Sequence, residues 1–229
     1  MVAAYPMEFP GILTRAKESR PVITPMAFAH QAYIGGNELL LVANGTGRVR
    51  ASEAVDRALQ LFPAEAVVST GFCGGLRPEM KVADLVLATS VTSNRQEFPT
   101  WPVAVPDGRL VHRGSVCTVD HIVQSAEEKS RLAATGAAAV DMEAAAVAER
   151  TSAHGLPFSC VKAISDLAGE TLLNDFNRAL RKDGYFDTII LLRGALRQPW
   201  ARIRELIRLR ERCVRAAGAL GEFFVDLRF

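Results

Sequence analysis

The chain has 229 residues, with 27 Lys plus Arg against 25 Asp plus Glu, a formal charge of +2 before histidine is counted. That balance argues against a strongly basic nucleic-acid binder, and 49% hydrophobic with 23% charged residues excludes a disordered chain. With no Pro/Ser/Gly-rich divider, one domain over 1–229 is expected.

In chain order, the start MVAAYPMEFPGIL has no basic leader, and no run of about 18 apolar residues follows anywhere that could span a bilayer. A cytoplasmic protein is the expectation. The clearest strands are Leu39 to Ala43, Ala66 to Ser69, Leu85 to Thr89 and Phe158 to Ile164. Between the first two, Ala54, Ala58 and Leu61 recur at helical spacing within Ala51 to Leu61. Met142 to His154 reads as a second helix, capped by Gly155 and stopped by Pro157. From Leu172 onward the pattern is helical, and Trp200 to Leu227 alternates apolar residues with arginines behind Pro199. This rhythm predicts an α/β fold, a mixed but largely parallel sheet flanked by helices, with 193–229 a basic helical C-terminal extension.

Charge is unevenly spread. Arg193 to Arg215 holds eight Arg and two Glu, a local +6 that leaves −4 for the remainder. The cysteines, Cys73, Cys117, Cys160 and Cys213, are 44, 43 and 53 residues apart, so no Cys-x-x-Cys pair exists. No metal site is expected from them, and reduced thiols are.

Three stations follow predicted strands, where an open α/β sheet places its ligands. Asn44-Gly45-Thr46-Gly47-Arg48 could turn its backbone N–H groups onto an anion or ribose, or could be an ordinary strand-to-helix turn. Thr70-Gly71-Phe72-Cys73-Gly74-Gly75-Leu76 packs three glycines into five residues, which points to a loop with little room for side chains. The third is Asp141-Met142-Glu143 together with Ser165-Asp166, one helix and one strand apart. Glu143 could be a first-turn helix acid and Asp166 a cap, or the two could share a site.

The stretches NGTGRVRA, STGFCGGLRPEMKVADLVLA, AVDMEAAAVA and LPFSCVKAISDLA resemble, in order, the signature blocks of the purine nucleoside phosphorylase and 5′-methylthioadenosine/S-adenosylhomocysteine nucleosidase superfamily. The resemblance implies cleavage of the N-glycosidic bond of a purine, with adenine the expected base. It implies Asp166 beside purine N7, Glu143 on the ribose hydroxyls, Met142 against the sugar and Ser165 holding the aspartate. Gly71, Phe72, Cys73 and Gly74 would line the substrate. No cofactor is implied beyond phosphate as a possible co-substrate, for which Gly45, Thr46, Gly47 and Arg48 are the candidate donors. Homo-oligomers are common in the family, so Phe72, Phe98 or Trp101 could serve a neighbour's site.

The chemistry fits the residues. A purine leaves more easily if a ring nitrogen is protonated, which an acid near N7 supplies, and a carboxylate on the ribose meets the positive charge that develops at the anomeric carbon.

Two departures bear on the nucleophile. Hydrolases of the family carry an Ala-Met-Glu-Glu-Glu-like motif whose last acid orients water, whereas this chain reads Pro6-Met7-Glu8-Phe9-Pro10, with Pro10 at that place. Glu8 is either a displaced substitute or a solvent-facing acid. Hexameric phosphorylases hold phosphate with Arg and Ser around the second loop, where Ser69 and Phe72 stand here. Phosphorolysis and hydrolysis both stay open.

Only 33 residues separate Asp84 from Cys117, and 63 follow Asp166. This shorter front and longer tail resemble the hopanoid-associated nucleoside phosphorylases, which implies a lipid-linked substrate and possible peripheral membrane contact of the basic helix. The alternative is a helix packed on the domain or a neighbour. A non-catalytic dinucleotide-binding module, with Glu65 on a ribose, is the competing reading, but it leaves DMEAAA and AISD unexplained.

Overall fold

The computed structural model describes residues 1–94, 96–105, 108–196 and 198–226. The strands are β1 (Val2–Ala3), β2 (Glu18–Pro21), β3 (Phe28–Ile34), β4 (Asn37–Ala43), β5 (Val67–Ser69), β6 (Phe72–Gly75), β7 (Leu85–Ser93), β8 (Gln96–Pro99), β9 (Val111–Thr118), β10 (Ala139–Asp141) and β11 (Phe158–Asp166). The helices are α1 (Pro10–Leu13), α2 (Arg48–Leu61), α3 (Ala126–Ala133), α4 (Ala144–Ala153), α5 (Phe176–Ala179), α6 (Thr188–Ala195) and α7 (Pro199–Val225), with a 3₁₀ turn at Pro6–Glu8. The expected α/β class and the helical tail are therefore present.

The sheet runs β2-β3-β4-β1-β5-β11-β6-β10-β9-β7-β8, and a further β11–β7 pairing closes β11, β6, β10, β9 and β7 into a ring. It is more mixed than expected. Six pairings are parallel and five antiparallel among the described residues. The unforeseen part is the antiparallel β2-β3-β4 edge, whose outer strand Glu18–Pro21 is exposed throughout and carries no apolar alternation to announce it.

Successive side chains of a strand point to opposite faces, and the core divides accordingly. Leu40 and Val42 of β4 join one cluster with Ala51, Ala54 and Val55 of α2 and Ala144 to Ala148 of α4. Leu41 and Ala43 join the other, with Phe9, Ile12, Ala216, Leu220, Phe223 and Phe224. The alanines of DMEAAA thus let α4 approach α2 closely. Gly155, at φ +67°, ends α4 as expected.

The tail departs from a continuous helix. Among the described residues only α5 and α6 are helical between β11 and α7, and Leu180 bridges Phe186 across the turn between them. Residue 197 and Leu227 lie outside the described residues. From Ala216 on, α7 is largely core, whereas Trp200, Ile203, Ile207 and Val214 before it are exposed. Among the described residues no helix is long and apolar enough to cross a membrane.

Candidate active site

Register brings the two predicted acids to opposite sides of one strand. Gly74 of β6 pairs with Val140 of β10 on one edge and with Asp166 of β11 on the other. A Cβ on Gly74 would stand 3.0 Å from Asp166 Oδ2 and 3.2 Å from Val140 Cγ1, so the glycine keeps the crossing clear.

Glu143 is buried at the start of α4. Its Oε1 accepts from the Gly47 N–H at 2.9 Å and from the Thr46 hydroxyl. Gly47 is the N-cap of α2, so the positive end of that helix faces the carboxylate. Asp141 builds the support: it accepts from Ala144 N–H (2.9 Å) and the Thr118 hydroxyl (2.7 Å), and pairs with the buried Lys162 ammonium at 2.9 Å. Burial raises the proton affinity of Glu143, and the Asp141 charge adds to this, against Lys162, Thr46 and Gly47. For Lys162, burial works against the charge, but Asp141, Cys160 and Glu143 outweigh it and the net shift is upward.

For Glu8 the sequence left two readings, a displaced substitute or a solvent-facing acid, and burial removes the second. Glu8 Oε2 accepts from Tyr5 N–H and Oε1 from Phe72 N–H, each at 2.7 Å. The reason is local. Pro6–Glu8 is a 3₁₀ turn, Pro10 opens α1 at the surface, and Phe9 enters the core, which turns Glu8 inward onto the second glycine loop. Gly71, at φ +111°, has no space for a Cβ because the Glu8 carboxylate occupies it. Burial pushes Glu8 up to about 7, with Glu143 adding to the rise and the two N–H groups and Lys162 opposing it.

At the other edge, the Ser165 hydroxyl lies 2.8 Å from Asp166 Oδ1 and 3.2 Å from the Cys73 carbonyl. Asp166 Oδ2 is in contact with the ammonium of Lys129, which also donates to Leu167 O at 2.7 Å. Lys129 belongs to α3, is 1% exposed, and was not anticipated, since one lysine in the polar run AEEKSRLA carries no signal that it points inward. Glu170 accepts from Leu167 N–H at 3.0 Å and holds Arg212 of α7 through both oxygens, at 2.6 and 2.8 Å.

The structure brings Thr46, Gly47, Met142, Glu143, Gly71 and Phe72 to the glutamate edge, and Cys73, Gly74, Ser165 and Asp166 to the aspartate edge. The Met142 sulfur stands 3.8 Å from the Thr46 hydroxyl. Gly45 lies under the Asp183-Gly184 turn, which leaves no room for a Cβ. Arg48 points instead to Ser93 (3.0 Å) and Glu149 (3.1 Å). The Cys73 thiol is buried and its proton affinity raised well upward by that burial, while its carbonyl meets the Ser165 hydroxyl. Among the described residues no group of three or more His, Cys, Asp and Glu side chains could hold a metal ion.

The sequence profile of the phosphorylase superfamily matches residues 2–107 and 103–184. A 5′-methylthioadenosine/S-adenosylhomocysteine nucleosidase of Actinobacillus succinogenes is 29% identical over 167 residues, 61% of this chain and 73% of that one. Its counterpart in Aeromonas salmonicida is 25% identical over 217 residues, 82% and 94% of the two chains. Among solved structures, the same kind of nucleosidase from S. pneumoniae, with a transition-state inhibitor, superposes with a TM-score of 0.72 at 20% identity, covering 98% of this chain and 97% of that one. Futalosine hydrolase of Helicobacter pylori superposes at 0.69 and 18% identity, covering 98% and 95%.

Proposed function

The chain belongs to the phosphorylase superfamily, and from that membership we propose that it is an enzyme that cleaves the N-glycosidic bond of an adenine nucleoside, with water as the acceptor. The observation that carries the hydrolytic reading is the buried Glu8 beside Glu143. Two acids facing one space repel a phosphate dianion, while an acid with raised proton affinity is suited to take a proton from water. The Gly47 N–H and Thr46 hydroxyl, the donors phosphate would need, are already engaged by Glu143. Thr70 Oγ1, buried in the glycine loop that meets Glu8, has no protein partner among the described residues, as suits an atom that binds water or a substrate oxygen.

In the reaction, water gives its oxygen to C1′ and a proton to Glu8. The C1′–N9 bond breaks with its electron pair going to the purine, and N7 receives a proton through Asp166. Glu143 holds the ribose hydroxyls and opposes the positive charge developing at C1′. Ser165 fixes the Asp166 carboxyl, and Gly71 to Gly74 form the floor between the acids.

The test is a panel of adenosine, 5′-methylthioadenosine and S-adenosylhomocysteine with and without phosphate, reading free adenine and the sugar product. Phosphate-independent release of adenine with a reducing sugar is expected. Ribose 1-phosphate formed only with phosphate would replace the hydrolytic reading by a phosphorolytic one, and no base from any nucleoside would overturn both.

A further inference from the structure

Lys129 touches Asp166 directly, yet the reaction above leaves it without a task. A fully buried ammonium is costly, and an apolar pair of similar volume is often as stable as a buried ion pair. Stability alone therefore gives weak grounds for a lysine here. Its position is specific: it reaches Asp166 Oδ2 and the Leu167 carbonyl from α3, a different element from the strand that carries the acid.

The hydrogen bonds of Asp166 narrow the options. Ser165 lies on Oδ1 and Lys129 on Oδ2, so each carboxyl oxygen already has a protein donor. A serine hydroxyl does not give up its proton under these conditions, whereas an ammonium can. We infer that Lys129 is a positioning residue that acts through Asp166, supplying the proton that the departing purine takes at N7. This rests on the reading of Asp166 as the residue at the purine.

The balance is simple. As the C1′–N9 electron pair moves into the purine, an N–H bond of Lys129 breaks while an O–H bond forms on the Asp166 carboxylate, and that O–H bond breaks in turn as the N7–H bond forms, which leaves Asp166 ionised as it began. One proton has passed from Lys129 to the purine, and the neutral amine regains it through the partly exposed Asp166 once the base has left.

The charged groups around the pair are few. Glu170, with Arg212 bound to it, packs from the loop after β11 and from α7. The hydrogen bond and charge of Arg212 lower the proton affinity of Glu170, although burial opposes this, so Glu170 stays ionised and balances Arg212. Cys73 and Cys213 lie nearby, and burial raises both thiols, Cys213 to about 12, so neither adds a charge. On α3 itself, Glu128 is turned to His121 at 2.7 Å.

The experiment compares the wild type with Lys129→Met and Lys129→Arg on 5′-methylthioadenosine and on 4-nitrophenyl riboside, whose leaving group departs without a proton. On the purine substrate both variants should lose about 100-fold or more in kcat with little change in KM. On the nitrophenyl riboside they should match the wild type. Arginine keeps the charge but not the transferable proton, so recovery of purine cleavage by Lys129→Arg would overturn proton supply. Equal losses on both substrates in a folded variant would show a merely structural lysine and overturn it too.

A proton inventory in mixed light and heavy water on the unaltered protein keeps the inference testable if neither variant folds. Purine cleavage should show two more protons in flight than cleavage of the nitrophenyl riboside, one on each side of Asp166. One more proton, or none, would overturn the relay. Failure of the wild type on every purine nucleoside, by contrast, would defeat the reading of the site itself.

Discussion

The two acid stations either side of Gly74 are held by opposite means. Glu143 is fixed by neutral donors, a backbone N–H at a helix N-terminus and a threonine hydroxyl, with the nearest cation spent on Asp141. Asp166 is fixed by a buried ammonium in direct contact and by a serine. Neutral donors hold Glu143 without offering it a proton, which suits a group meant to face a developing cation. An ammonium lies in line to exchange a proton, which suits a group meant to face a departing anion. The contrast teaches that two similar carboxyls, on either side of one strand, acquire different tasks from what touches them.

The sharpest way to break the contrast is Asp166→Asn, which should lower adenine release by about 100- to 10,000-fold, and a thermal melt should fall as well, because the buried Lys129 ammonium loses its counter-charge. The loss of activity should vanish on 4-nitrophenyl riboside. Glu143→Ala should cost about 100- to 1,000-fold on both substrates, since the sugar cation forms whichever group leaves. If Glu143→Ala spared the nitrophenyl riboside, the division of labour would be wrong.

A subtler probe is pH. As a base, Glu8 works only when ionised, and burial raises it to about 7, so kcat/KM should climb as pH rises through that value and fall below it. Glu8→Gln should lower activity and flatten that acid limb, whereas Asp166→Asn should leave its position unchanged. The smallest effect belongs to Arg48→Ala. Its ion-pair partner Glu149 is exposed and its other partner, Ser93, is a neutral hydroxyl, so a change of about twofold or less is expected, with or without phosphate. A large phosphate-dependent loss in this variant would return Arg48 to the nucleophile.

What could be read from the chain was whatever local pattern enforces. DMEAAA announces a helix start with a tightly packed small-residue face, and AISD a strand ending in an acid, so Glu143 and Asp166 were both legible. Their supports were not, because Lys129 and Lys162 reach them from other elements through register and ring closure. Glu8 was read against a motif spacing of acids, but a 3₁₀ turn and Pro10 rotate the segment, and the inward residue is the one before Phe9. The tail beyond Leu172 looked continuously helical. Packing of Gly184 against Thr46 and of Tyr5 on Gly184 O (2.9 Å) breaks it with a turn instead.

The backbone contact between α1 and α7 has a consequence for how the protein is made. Gly11 and Gly221 touch so closely that neither can carry a Cβ, and α7 wedges Phe223 and Phe224 beside Phe9, the residue next to Glu8. Substituting either glycine by alanine should cost about 1–3 kcal/mol through overpacking, and a thermal melt reads it. These partners are 210 residues apart, so the ledge that carries Glu8 stays unsupported until α7 has been made and has docked on it.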